Sequence, residues 1–228
     1  SNRFSPAVWF EISGTGDVKI NIAKAEMGQH VGTALARIVA DELGADWSRV
    51  SIDHVDTDPK WGYMVTGGSW SVVTSFTMLS QAGAAGRTVL LEAGAKLLGV
   101  EVAACTAENG NVIAGDQSVS FAEIVATGDI SRVINDEEMA AMPVKAAADR
   151  TLIGKATAAL DIPEKTEGAA VYAIYSHYFA IKRVETVRAL VATTRSQDGL
   201  NQSRAVAALA RLTTGGHGQV ALELLANF

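Results

Sequence analysis

Residues 69–98 constrain the fold most. They contain no proline, and Leu79, Ala82, Val89, Leu90, Ala93 and Leu97 recur along one side, so the spacing predicts a single long helix from Ser69 to Leu98. Gly83, Gly86 and Gly94 lie inside it, and each costs a helix about 1 kcal/mol relative to alanine. Close approach of another backbone is the expected reason to retain them, and simple tolerance of glycine is the alternative. The patch Ala82-Gly83-Ala84-Ala85-Gly86 is therefore expected to lie against a neighbouring element.

Shorter signals supply the neighbours. Residues 7–12 and 17–22 are β-rich and partly alternating around Ser13-Gly14-Thr15-Gly16, which reads as a hairpin. The Gly-x-Gly inside it joins two strands and opens no helix, so it is not a dinucleotide fingerprint. Leu35, Ile38, Val39 and Leu43 predict a helix from Val31 to Leu43 closed by Gly44. Val50–Val55 alternates as a half-buried strand does, and Asp56–Val65 reads as a loop. Asn109-Gly110 predicts a second hairpin between Val102–Ala107 and Val112-Ile113. Ser120 with Glu123 marks a further helix start. Gly128–Arg150 reads as a surface connection to a strand at Leu152-Ile153-Gly154. After Gly168 the character changes, with candidate helices at Arg183–Ala192 and Ala205–Leu212. The expected class is α+β: a mixed sheet with hairpins packed against two or three helices over residues 1–168, and a short, divergent, mainly helical C-terminal extension over 169–228.

Two glycine-bearing turns stand directly before the two long helices. They are Glu26-Met27-Gly28-Gln29-His30 and Thr66-Gly67-Gly68-Ser69-Trp70-Ser71. A helix start presents backbone N–H groups with no intrahelical acceptor, so each turn is a candidate anion site.

These segments resemble the molybdopterin-binding large subunit of the molybdenum hydroxylases, the xanthine oxidase and aldehyde oxidoreductase family, in its isoquinoline 1-oxidoreductase-like branch. The first cofactor segment of that family is similar to Glu26-Met27-Gly28-Gln29 with Thr33, Val39-Ala40-Asp41-Glu42-Leu43 and Trp47-Ser48-Arg49-Val50. The second is similar to Thr66-Gly67-Gly68-Ser69 with Ser71 and Gln81-Ala82-Gly83-Ala84-Ala85. Leu152-Ile153-Gly154 and Asp161-Ile162-Pro163-Glu164-Lys165 with Gly168 resemble a stretch leading out of the domain. The resemblance covers about residues 6–173. It implies that Gly28, Gln29, Gly67, Gly68, Ser69 and Ser71 contact the pterin and phosphates of a molybdopterin, in the cytosine dinucleotide form.

The same resemblance implies the partners, an iron–sulfur subunit and the remaining large-subunit domains, and the role, part of an oxidoreductase acting on an aldehyde or N-heterocycle. Two departures stand inside the motifs. His30 replaces the usual glycine and Trp70 a small residue, side chains able to fill space that a pterin would take. The glutamate that serves the family as general base belongs to other domains, so no catalytic residue is assigned here. The alternative reading is a catalytically inactive domain, without cofactor in the isolated chain, that self-associates as a homo-oligomer or binds a partner.

Composition narrows the rest. A net charge of -6 argues against nucleic acid, and no apolar run is long enough for membrane insertion. The chain as given reads as cytoplasmic, or periplasmic where an upstream signal has been removed. The single cysteine, Cys105, reads as a small core residue and excludes a cysteine-ligated cluster within the chain. His30, His54, His177 and His217 are too scattered to suggest a metal site, Asp53, Asp56 and Asp58 read as a polar strand end and loop, and Thr213–Gln219 reads as a glycine-rich loop.

Overall fold

The computed structural model describes residues 3–128, 130–132 and 134–167. By its internal contacts the chain divides into two units, Ser1–Ala25 with Gln29–Leu160, and Glu26–Gly28 with Asp161–Phe228. The candidate helices at 183–192 and 205–212, the extension 169–228 and the turn at 213–219 lie outside the described residues.

The first unit is α+β and contains two sheets. Strands β1 (Arg3–Ala7), β2 (Phe10–Ser13) and β3 (Val18–Ile22) pair antiparallel in sequence order. Helix α1 (Val31–Leu43) then carries the chain over, and β4 (Val50–His54) joins parallel to β3, with Val18 opposite Val50 and Ile22 opposite His54. The predicted hairpin is thus β2–β3, and β1 extends it. Alternation explains which face is covered: within β2 and β3, Phe10, Ile12, Val18, Ile20 and Ile22 are buried, and Glu11, Ser13, Lys19 and Asn21 are half-exposed.

Helix α2 (Ser71–Leu98) is the long helix. It begins two residues later than the spacing predicted, because Ser69 takes a left-handed φ of 59° and belongs to the turn. Leu97, expected on the buried side, is exposed, whereas the adjoining Leu98 packs against the core. The glycines act as expected. A Cβ on Gly83 would stand 2.9 Å from the Val39 carbonyl oxygen and 2.7 Å from the Glu42 Cβ, so α1 rests on the helix backbone there. A Cβ on Gly86 would meet the Phe10 ring at 2.5 Å, which places the sheet against the same patch.

Strands β5 (Thr106–Glu108), β6 (Asn111–Ala114) and β7 (Gln117–Ser120) form a separate antiparallel sheet. Asn109 and Gly110 turn β5 into β6 with φ of 47° and 75°, the pairing an Asn-Gly hairpin requires. Val102–Ala104 is a short 3-10 turn, so the first strand of this hairpin is shorter than the apolar run implied. Ser120 Oγ accepts from the Glu123 N–H at 3.1 Å and opens α3 (Phe121–Thr127). Cys105 is buried, as a core residue should be.

Between 128 and 155 the surface connection gains detail and one expectation fails. The connection contains a helix, α4 (Asp136–Ala140), opened by a complete capping box between Asn135 and Glu138. Leu152-Ile153-Gly154 is a turn and not a strand. The reason is that the N–H groups of Leu152 and Ile153 donate to a side chain on α1, described below, and are unavailable for a ladder. In the second unit, α5 (Ile162–Thr166) carries Lys165, whose ammonium donates to Glu26 Oε1 at 2.8 Å and pairs with Asp161.

Candidate functional site

The turn before α2 is built for an exposed helix start. Gly68 and Ser69 have φ of 56° and 59°, and the Trp70 N–H donates to the Gly67 carbonyl at 3.1 Å, which folds the chain back into the helix. Trp70 supplies no side-chain cap, and the first turn holds no acidic residue. The first helical bond runs from the Thr74 N–H to the Trp70 carbonyl, so the N–H groups of Ser71, Val72 and Val73 have no intrahelical acceptor. Gly67, Gly68 and Ser69 are exposed, and a Cβ on Gly67 would meet nothing within 4 Å. The Trp70 ring lies against Gly68 and is itself 64% exposed.

The turn before α1 is tighter. His30 is its N-cap residue, at φ 59° and without a side-chain cap, and again the first turn holds no acid. Glycine, the residue the resemblance led one to expect there, adopts this conformation without the steric cost of a Cβ. The Gln29 side chain donates from Nε2 to the Ala25 carbonyl at 2.8 Å, so its amide braces its own turn. In the second unit Gly28, at φ 103°, donates its N–H to Glu26 Oε1 at 2.7 Å. Three non-glycine residues among those described have positive φ. Asn109 is explained by its hairpin, and the other two, His30 and Ser69, stand at these helix starts.

Lys24 and Thr66 tie the approaches together. Lys24 Nζ donates to the carbonyls of Tyr63 at 2.9 Å and Val65 at 3.1 Å, and the Ala25 N–H donates to Thr66 Oγ1 at 2.7 Å. His54 Nδ1 lies 3.1 Å from the Lys24 carbonyl oxygen. The segment entering the Gln29 turn is therefore bonded to the segment entering the Gly67 turn, about forty residues on. Sequence reasoning placed Thr66 inside the second motif, left Lys24 just before the first, and gave neither a role. A lone lysine among apolar positions at a strand end was the available signal.

A second polar centre sits at the end of α1. Glu42, fully buried, accepts from Arg150 at 2.6 Å, Arg87 at 3.0 Å and the Lys145 N–H at 3.0 and 3.1 Å. Asp41 accepts from the N–H groups of Thr151, Leu152 and Ile153 at 2.8–3.0 Å, and Lys145 Nζ donates to its backbone carbonyl. Burial alone would raise the Asp41 carboxyl, but the three N–H donors and the Lys145 charge outweigh it and hold its pKa below the ordinary value. Arg37 adds donations to the Leu152 and Lys155 carbonyls. Residues 145–155 are thus strapped across α1. Two carboxylates in the last helical turn, where the helix dipole disfavours negative charge, were the signal in the sequence.

Chemically, the arrangement offers backbone donors and hydroxyls at the start of α2. Among the described residues no group of three or more His, Cys, Asp or Glu could hold a metal ion, and no helix is long and apolar enough to cross a membrane. The capability the geometry provides is binding of an anionic group.

A family model described as a molybdopterin cofactor-binding domain matches residues 2–194. A membrane-bound aldehyde dehydrogenase [pyrroloquinoline-quinone] of Gluconacetobacter polyoxogenes is 55% identical over 172 residues, covering 75% of this chain and 22% of that protein. The beta subunit of isoquinoline 1-oxidoreductase of Brevundimonas diminuta is 29% identical, covering 74% and 26% respectively. A nicotinate dehydrogenase subunit of Pseudomonas putida is 32% identical, covering 73% and 14%. The chain therefore spans about a quarter or less of the length of these curated relatives, two of which are named as subunits.

Proposed function

Since this chain belongs to the molybdopterin cofactor-binding domain family, we propose that its two helix starts hold part of a molybdenum–pterin cofactor. The residues present fit such a group. The start of α2 offers the N–H groups of Ser71, Val72 and Val73 and the hydroxyls of Ser69 and Ser71, with no carboxylate in the first turn to repel a phosphate. Gly67 stands in open space, where a side chain would obstruct a close ligand. Gln29, with its Nε2 committed to Ala25, would present its amide oxygen to a donor on the pterin edge.

The observation that carries the reading is the Lys24 and Thr66 linkage. It couples the turn before α1, whose first helical residues Val31, Gly32 and Thr33 are buried, to the exposed and uncapped start of α2, which is the end that suits the phosphates of the cytosine dinucleotide form. When bound, such a cofactor supplies the oxidation of a C–H bond with oxygen from water. What this chain contributes is position and donors. On this reading it forms part of an oxidoreductase for an aldehyde or an N-heterocycle, completed by an iron–sulfur protein and by the domain bearing the general base.

The direct test is elemental and pterin analysis of protein purified from a host that makes the molybdenum cofactor, with pyrroloquinoline quinone assayed alongside because one relative is named for it. Molybdenum with pterin supports the reading, and reproducible absence of both ends it. A second reading, a self-associating module, draws on the exposed apolar side chains Tyr63 (71%), Val73 (70%) and Trp70 (64%) on the same unit. Light scattering that shows a monomer at high concentration excludes it.

A further inference from the structure

In the first unit, a cavity of about 220 Å³ opens between the end of β3, the loop at Trp61–Tyr63 and the first turns of α2. Its walls are mostly apolar. Trp9 and Trp61 face each other with ring centroids 5.6 Å apart and planes tilted by 51°, and Met78, Leu79 and Leu35 complete the lining. Asn21 and Thr74, whose side chains donate to the Val8 and Trp70 carbonyls, also line it, as do two deeply buried polar side chains, Lys24 and Ser75, each residue only 4% exposed.

Neither polar group is saturated by its surroundings. An ammonium has three donors, and two of those on Lys24 go to the Tyr63 and Val65 carbonyls. Among the described residues no carboxylate pairs with it, and the Ser75 hydroxyl makes no hydrogen bond. Burying an ammonium without a counter-charge is costly, and burial does hold the Lys24 pKa below the usual lysine range. The carbonyl dipoles and the Tyr63 ring, whose centroid lies 5.0 Å from Nζ, ease that cost only in part. A clamp between backbone segments accounts for two of the three donors, but not for the third, nor for a buried hydroxyl beside the same space.

We propose that this cavity binds a small organic carboxylate, with its carboxylate on Lys24 Nζ and the Ser75 hydroxyl and its apolar body against Trp9, Trp61 and Met78. One cation and one hydroxyl match a monoanion; a phosphate dianion calls for more donors. The volume lies below the ~300–1,000 Å³ of pockets that take drug-sized molecules, so the ligand is a single ring or a short branched chain. The site shares no residue with the Gln29 and Gly67–Ser71 turns. Lys24 also joins the approaches to those turns, and the proposal is testable by itself on protein made without cofactor.

The probe is benzoate, titrated into the full chain purified from a host unable to make the molybdenum cofactor, with tryptophan fluorescence and calorimetry as readouts and benzamide as the neutral isostere. Saturable benzoate binding with Kd near or below ~1 mM is expected. Benzamide is expected to bind at least ~10-fold more weakly, since it lacks the charge-assisted bond. Lys24→Met should bring benzoate down to the benzamide level, and Ser75→Ala should weaken it ~3-fold or more. Because Lys24 also holds a loop, Met78→Trp serves as the variant that fills the cavity and leaves Lys24 in place. It should abolish binding of both probes while thermal unfolding stays cooperative. Equal affinity for benzoate and benzamide, undiminished binding in a folded Met78→Trp variant, or no saturable benzoate binding up to ~10 mM would each overturn the proposal.

Discussion

Replacing Glu42 by alanine tests whether the buried carboxylate at the end of α1 holds the strap at 145–155. Glu42 is fully buried and makes charge-assisted contacts to Arg87 at 3.0 Å and Arg150 at 2.6 Å, whose side chains are only 15% and 7% exposed. Truncation removes one charge and leaves two guanidinium groups in a dry site, together with an unanswered Lys145 N–H. Breaking a buried pair in this way costs about 3–5 kcal/mol. That is a large share of the ~5–15 kcal/mol by which a domain is ordinarily stable. At roughly 2–4 °C per kcal/mol for a chain of this size, Tm should fall by roughly 6–20 °C. Urea unfolding followed by circular dichroism measures the loss, and Arg132→Ala is the control. Arg132 pairs with Glu92 and Glu138 at the surface, so its loss should cost less than ~1 kcal/mol. A loss below ~1 kcal/mol for Glu42→Ala as well would refute the reasoning, because an uncompensated buried charge cannot be that cheap.

Asp41 gives a pH-dependent counterpart. Its folded pKa is depressed, so the stability it contributes is present above the unfolded value of about 3.9 and is lost as pH falls through the folded one. The acid limb of the wild-type stability curve should be steeper than that of Asp41→Asn, and parallel limbs would count against the three N–H donations. Gly83→Ala should destabilise, because overpacking α1 at ~1–3 kcal/mol outweighs the ~1 kcal/mol gained in helix propensity. A more stable variant would mean the helices are not in contact there. Ser120→Ala should cost about 1 kcal/mol in a chemical melt through loss of the α3 cap, and an unchanged midpoint would deny the cap.

What the sequence made legible is what local chemistry decides. Gly44 ends α1, Asn109-Gly110 turns β5 into β6, and Ser120 opens α3, each through backbone geometry that a few neighbouring residues dictate. The small patch at Gly83 and Gly86 was readable because glycine in a helix carries a known cost and so needs a reason. The pairing of β3 with β4 was not readable, since parallel partners are set by a crossover and not by a turn. Leu152-Ile153 has strand composition, yet its N–H groups are captured by Asp41, more than a hundred residues earlier, and no local rule anticipates that. The candidate site shows the same division. Its glycine turns announced themselves, whereas Lys24 and Thr66, which join their approaches, act only across the fold.

Ser71→Asp separates binding from folding at the start of α2, the proposed seat of the cofactor's phosphates. A carboxylate in the first turn favours the helix by about 0.3–1 kcal/mol while repelling an anionic ligand. The deciding measurement is molybdenum and pterin content per chain, for wild type and Ser71→Asp purified side by side from a cofactor-producing host. Both are expected in the wild type and neither in the variant, with the variant melting at or above the wild-type temperature. A wild type free of metal and pterin, or a variant that retains the full complement, would contradict cofactor binding at this helix start.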